Sequence, residues 1–134
     1  MLRSIVTGGA GFVGSHLAEK LLGLGQEVLV LDNLSTGRVE NLSDFYNHPS
    51  FRFIDVDIRA EQEIQKYFEG VDWVFHLAAL ADIVPSIQQP IDYLRAAVDG
   101  TCVVLDAAKN ASVKRFVYAA SSSCYGIPDI FPTP

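Results

Sequence analysis

Several residue types that mark common functions are scarce in this chain. Only two cysteines, Cys102 and Cys124, stand among its 134 residues, far apart and outside any metal-ligand spacing. That argues against a disulfide framework or a cysteine zinc site and points to free thiols in a reducing compartment. Positive charge is also sparse: ten Lys and Arg face sixteen Asp and Glu, for a net charge of −6. The basic residues are scattered, so no patch exists to track a nucleic-acid backbone, and nucleic acid is not expected as a partner. The small acidic excess serves solubility. No apolar run approaches the ~20 residues of a membrane span. The chain enters a strand-like run at Leu2, which is not the pattern of a signal peptide. These absences predict a cytoplasmic protein with no membrane partner. There are no internal repeats and no low-complexity tract.

What is present suits one globular domain over residues 1–134. Hydrophobic residues make up 49% of the chain, enough for a proper core. Apolar runs of strand length alternate with stretches of helical periodicity, the pattern of a parallel α/β sheet.

The most informative stretch is Thr7-Gly8-Gly9-Ala10-Gly11-Phe12-Val13-Gly14-Ser15-His16. It lies between a strand-like run, 2–7, and a helix-like run, 12–24. Gly9, Gly11 and Gly14 satisfy G-x-G-x-x-G, while Gly8, Gly11 and Gly14 satisfy the sister spacing G-x-x-G-x-x-G. Such glycines turn the chain sharply off the strand, let the backbone approach a pyrophosphate, and bring the helix close to the sheet. The free N–H groups and dipole of the helix start then face the phosphates. A tight βα turn that binds nothing would look similar. A second strand, 27–32, ends on Asp32, however, where an acid can accept hydrogen bonds from adenosine ribose hydroxyls. Strand, glycines, helix, strand and acid in that order predict dinucleotide binding.

The remaining elements follow in order. Phe12, Val13, Leu17, Leu21 and Leu24 recur as one apolar helical stripe, and Gly25 closes that helix. His16 reads as a polar residue of the first helical turn rather than a catalytic one. After Asp32 comes a loop, Asn33 to Arg38. Asp32 suits the 2′-hydroxyl of NAD and would repel the 2′-phosphate of NADP. Arg38 could receive that phosphate, but it reads more simply as a solvated charge. A short helix is expected within 39–46, then a turn in which His48 is a surface residue.

The third strand, 51–56, leads to Asp57-Ile58. Asp57 could accept from an adenine amino group with Ile58 over the ring, or it could cap the next helix, 60–68. The fourth strand, 71–76, ends on His76, read as a hydrogen-bonded structural histidine. Leu77-Ala78-Ala79 then offers small residues on which a flat ligand can lie. Pro85 and Pro90 bracket Ser86. A helix over 91–110 is apolar nearly all round and should be covered on more than one side. The fifth strand, 113–120, precedes Ser121-Ser122-Ser123-Cys124-Tyr125-Gly126, and 127–134 reads as proline-rich loop. The predicted fold is a Rossmann-type, doubly wound parallel sheet of order 3-2-1-4-5. Ligands in that architecture sit beyond the carboxyl ends of the strands, where all these stretches meet.

Together these stretches carry a resemblance. With Gly100-Thr101 added, the chain resembles the N-terminal part of the extended short-chain dehydrogenase/reductases. It looks most like their NAD-dependent nucleotide-sugar 4-epimerases, which act on UDP-sugars. The resemblance implies NAD as cofactor, held by Gly8, Gly11, Phe12, Val13, Gly14, Asp32, Asn33, Ser35, Thr36, Gly37, Asp57, Ile58, Leu77, Ala78, Ala79 and Ser122. It implies transient oxidation of a nucleotide-sugar substrate at C4 to a 4-keto sugar. Ser121 is then the first choice for the catalytic hydroxyl, Ser123 the second; Ser86 and Ser123 would contact substrate. A homodimer through helix 91–110 is implied as well.

Two departures stand out. The family's Asn three residues before the Gly-Thr pair is Ala97 here, and the family's Tyr-x-x-x-Lys is absent from the chain. The resemblance therefore implies the cofactor-binding part of a longer enzyme, inactive alone. A nucleotide-sugar 4,6-dehydratase would usually show Asp-Glu after the catalytic Ser or Thr, where this chain has Ser122-Ser123. A non-catalytic NAD-binding regulatory module is the alternative of another class.

Overall fold

The computed structural model describes residues 1–127, 129 and 130. Pro128 and 131–134, part of the expected proline-rich loop, lie outside the described residues. Five parallel strands form one sheet: β1 (Arg3–Thr7), β2 (Glu27–Asp32), β3 (Phe51–Asp55), β4 (Trp73–His76) and β5 (Arg115–Tyr118). Their order is β3-β2-β1-β4-β5, as the alternation predicts. β2 has the expected bounds, and the other four strands are shorter than the apolar runs, most of all β5.

Side chains alternate along each strand and so feed two separate cores. On one face, Ile5, Leu29, Leu31 and Val74 pack with Ile64, Phe68, Val104, Ala107 and Ala108. On the other, Val6, Val28 and Val30 pack with Ala18, Leu21, Leu22 and Leu42. Each fully buried Val, Leu or Ile stabilises the fold by roughly 1.5–3 kcal/mol relative to exposure.

Helix α1 (Phe12–Gly23) covers the second face. It ends in a Schellman motif: Gly25 N–H donates to the Leu22 carbonyl, Gln26 N–H to that of Leu21, and Gly25 has φ +75°. The expected apolar stripe needs correction. Leu21 is buried, but Phe12, Val13 and Leu24 are 78%, 63% and 63% exposed. Phe12 and Val13 belong to the first helical turn, beyond the end of β1, where no sheet lies beneath them.

The run 39–46 holds only a short 3-10 turn, Val39–Leu42. Helix α2 (Glu61–Ile64) continues as a 3-10 turn, Gln65–Tyr67. The helix expected over 91–110 is preceded by α3 (Ile83–Gln88). It divides into α4 (Pro90–Leu94), one π turn (Arg95–Asp99) and α5 (Gly100–Asn110). Only Gly100, Val104, Ala107 and Ala108 of α5 are buried, and Cys102, expected in an apolar environment, is exposed. Those buried residues pack against the sheet and against α2, and the rest of the helix is partly or fully exposed. Among the described residues β5 pairs with β4 alone. No helix among the described residues is long and apolar enough to cross a membrane.

Candidate functional site

The carboxyl ends of β1, β2, β3 and β4 open onto one crevice of about 830 Å³. A cavity of that size suits a small organic ligand. Its floor is the glycine turn. Gly8 has φ +69°, and a Cβ there would lie 2.7 Å from the backbone nitrogen of Ala78. At Gly14 a Cβ would collide with the Gly8 carbonyl. Gly11 differs, since a Cβ there meets only the Gly8 oxygen at 3.3 Å. Gly8, Gly11 and Gly14 all line the crevice. Gly9 is turned into the core against Val30, so the sister spacing is the one that faces the site. No side chain caps the start of α1. Its first-turn N–H groups have no intrahelical acceptor, which makes a ready anion seat.

Asp32 closes the far side of this turn. One carboxylate oxygen accepts from Ala10 N–H at 2.9 Å and the other from Leu34 N–H at 2.8 Å. Asn33 Oδ1 accepts from Ser35 N–H at 3.1 Å. These side-chain bonds hold the tight turn after β2, in which Leu34 takes φ 56°. Arg38 contributes its backbone N–H to the Ala10 carbonyl and is not among the lining residues.

Of the two sequence readings of Asp57, the helix cap needs correction. Asp57 does not cap α2, whose N-cap is Ala60, without a side-chain hydrogen bond. Instead it forms a local turn, accepting Arg59 N–H at 2.9 Å, and a paired salt bridge. Arg59 Nε donates to Oδ1 at 2.9 Å and its terminal amino group to Oδ2 at 2.6 Å. Asn33 adds a donor at 3.3 Å. The Arg59 hydrogen bonds hold the Asp57 carboxyl down at about 2, so it is a pure acceptor at neutral pH. Sequence reading missed Arg59; its signal was an Asp-x-Arg spacing just after a strand. Among the described lining residues it carries the one positive charge.

His76 is 1% exposed and lies between two threonines. Nδ1 is 2.7 Å from Thr7 Oγ1, and Nε2 is 2.9 Å from Thr101 Oγ1. Burial pushes the imidazole down to about 4, so the ring is neutral at pH 7 and works as one donor and one acceptor. Thr7 Oγ1 also accepts Ala78 N–H at 3.2 Å, which anchors the wall formed by Leu77, Ala78 and Ala79.

The crevice thus gathers Gly8, Gly11, Phe12, Val13, Gly14, Asp32, Asn33, Ser35, Thr36, Gly37, Asp57, Ile58, Leu77, Ala78 and Ala79. The exposure of Phe12 and Val13 has its place here, since both face this opening. A glycine cradle with no room for a side chain at Gly8 or Gly14, an uncapped helix start and a carboxylate opposite fit a dinucleotide. Ser86, Ser121, Ser122 and Ser123 are not among the lining residues. Ala119, at the end of β5, lines the crevice. Beyond it Ser121 Oγ donates to Ser123 Oγ at 3.0 Å and accepts Ser123 N–H at 3.2 Å, at the start of the 3-10 turn Ser122–Tyr125. Ser86 Oγ is spent on the Ile83 carbonyl, although Pro85 and Gln89 reach the crevice. His16 donates from Nδ1 to the Phe12 carbonyl at 2.8 Å, and His48 accepts Ser50 N–H at 3.2 Å in an exposed turn.

A family model described as the NAD dependent epimerase/dehydratase family matches residues 4–133. The chain belongs to that family. The cofactor of the epimerase/dehydratase family is NAD, which is the dinucleotide the crevice fits. UDP-glucuronic acid decarboxylase 1 of Arabidopsis thaliana is 42% identical over 127 residues, covering 95% of this chain and 28% of the relative. The UDP-N-acetylglucosamine 4-epimerase from Methanobrevibacter ruminantium M1, solved with UDP-N-acetylmuramic acid, superposes with a TM-score of 0.92 at 34% identity. That match covers 99% of this chain and 42% of the other. The UDP-glucose 4-epimerase from Bifidobacterium longum, in complex with NAD+ and UDP, gives a TM-score of 0.87 at 31% identity over 98% of this chain and 40% of that one. The chain therefore spans less than half the length of these epimerase/dehydratase relatives.

Proposed function

We propose that this chain is the NAD-binding part of a nucleotide-sugar 4-epimerase acting on UDP-sugars, of the UDP-glucose or UDP-N-acetylglucosamine type. The observation that carries the reading is the convergence of the glycine turn, Asp32, Asp57-Ile58 and Leu77-Ala78-Ala79 on one crevice. The first-turn N–H groups of α1 bind the pyrophosphate, with Phe12 and Val13 at its side. Asp32 accepts from the adenosine ribose, Asn33, Ser35, Thr36 and Gly37 shape its rim, and Asp57 and Ile58 receive the adenine. Ala78 and Ala79 support the rest of the cofactor. Bound NAD supplies a hydride acceptor at sugar C4. Ser121 donates a hydrogen bond to the C4 oxygen, with Ser123 behind it against the substrate and Ser122 beside the cofactor. Ser86, beside the lining residue Pro85, belongs to the substrate side of the site.

A second reading is a UDP-glucuronate decarboxylase, favoured by the 42% identity to the Arabidopsis enzyme. A ketone at C4 is β to a carboxylate on C5, so both reactions begin with the same oxidation. A reducing, cytoplasmic setting suits the two exposed free cysteines.

Cofactor choice tests the site. Asp32 is buried, and its carboxylate is fixed by two backbone N–H groups. A 2′-phosphate about 4 Å away would meet repulsion of roughly 4 kcal/mol per unit charge at an effective dielectric constant of ~20. NAD should therefore bind at least about tenfold more tightly than NADP, the remainder being lost to solvent screening. Calorimetric titration with both cofactors measures this. Equal or tighter NADP binding would mean that Arg38 or Arg59, not Asp32, governs the choice.

Assembly is a further part of the proposal. Ile91, Leu94 and Val98 are 63%, 61% and 49% exposed and recur at helical spacing on α4 and the π turn. They form an apolar stripe that no described residue covers. We expect a homodimer through 91–110, visible as a dimer in sedimentation at micromolar concentration; a monodisperse monomer would refute it.

A further inference from the structure

The first turn of α5 touches both walls of the crevice without lining it. Gly100 is buried against Ile58, and a Cβ built on it would lie 2.6 Å from Ile58 Cδ1 and 2.8 Å from Cγ1. The next residue, Thr101, reaches His76 Nε2 at 2.9 Å, and His76 leads through Thr7 to the Ala78 N–H. Ile58 and Ala78 both line the crevice, while Gly100 and Thr101 do not. A π turn, Arg95–Asp99, immediately precedes this contact. Such a turn resets the phase of a helix, and here it brings Gly100 onto Ile58.

We propose that Gly100 is a positioning residue for the cofactor site: its missing side chain lets α5 seat Ile58, and so sets the width of the pocket that takes the adenine. The idea rests on the assignment of the Asp57-Ile58 end to adenine. Ile58 belongs to the same buried cluster as Leu31, Val56 and Val104 and also lines the crevice. A β-carbon at 100 must displace its side chain, and the crevice is the open space it borders. Thr101 ties the opposite wall to the same turn, so α5 holds the two walls in one register.

A double-mutant cycle on the chain tests this, with calorimetric titration of NAD and of ADP-ribose, which lacks the nicotinamide. Gly100→Ala is expected to weaken both ligands equally, by about tenfold, the order of an overpacked contact. In an Ile58→Ala background the same substitution should change either affinity by less than about twofold, because the clashing side chain is gone. If Gly100→Ala alone does not fold, Gly100→Ala/Ile58→Ala should fold and bind as Ile58→Ala does. Three outcomes overturn the proposal: unchanged affinity in folded Gly100→Ala, the same loss in both backgrounds, or a double variant that fails to fold where Ile58→Ala folds. Absence of NAD binding by the unsubstituted chain would instead overturn the function proposed above.

Discussion

Gly11→Val is expected to weaken NAD binding by at least about a hundredfold while leaving the fold standing. The two halves of that statement have separate causes. A β-carbon at Gly11 meets only the Gly8 oxygen at 3.3 Å, so the variant disturbs the protein little. The open space beside it is the anion seat at the start of α1, and the valine methyls would occupy it. Each charge-assisted hydrogen bond lost there is worth roughly 1.5–3 kcal/mol, and one or two such losses give the stated factor. Gly14→Val is the contrasting control: its β-carbon collides with the Gly8 carbonyl, so it should lose stability rather than affinity alone. Circular dichroism reports the fold and calorimetry the binding. Unchanged affinity in folded Gly11→Val would put the cofactor elsewhere.

The second large effect is on turnover. Incubated with NAD and UDP-sugars, this chain should invert no C4 centre at a measurable rate, although it binds the cofactor. C4 oxidation needs a base at the hydroxyl as hydride leaves. No Tyr in the 134 residues has a Lys four positions on. Ser121 is bonded to Ser123, and a serine without an activating base is a weak nucleophile and a weak base. Tyr125 is 78% exposed, in the turn that follows. Acid–base catalysis is worth roughly 10²–10⁴ in rate, and unpositioned substrate forfeits more. NMR of the sugar H4 signals follows the inversion. Turnover comparable to that of a full-length epimerase would overturn the assignment of the base to a residue outside this chain.

The sheet and most of the crevice were legible because they follow from local chemistry. Alternating periods fixed strand order through the handedness of crossovers, and the glycine spacing with Asp32 marked the phosphate and ribose ends. Hydrophobicity, by contrast, does not say what covers a residue. Phe12 and Val13 carry the same signal as Leu21, yet they face a crevice and Leu21 a core. The apolar composition of helix 91–110 predicts cover all round, but only one stripe of α5 is buried, against the sheet and α2. Asp57 was read as a possible helix cap because Asp often caps. Only the folded turn shows its oxygens held by Arg59, two residues away. Gly100 was visible as half of a Gly-Thr pair, but the reason for it lies in Ile58, forty-two residues earlier, which no local pattern encodes.

The unequal cover of the strands has a consequence for how the molecule moves. Every residue of β2 but the first is buried, whereas none of β5 is, and among the described residues β5 has a single neighbour. Opening of the backbone therefore costs most around β1 and β2 and least at β5. The phosphate seat rides on the stiff end of that gradient, and Ser121 to Ser123 ride on the soft end. Local opening at β5 would therefore shift the serine hydroxyls while the phosphate seat keeps its geometry, so amide exchange is expected to be faster along β5 than along β1 and β2.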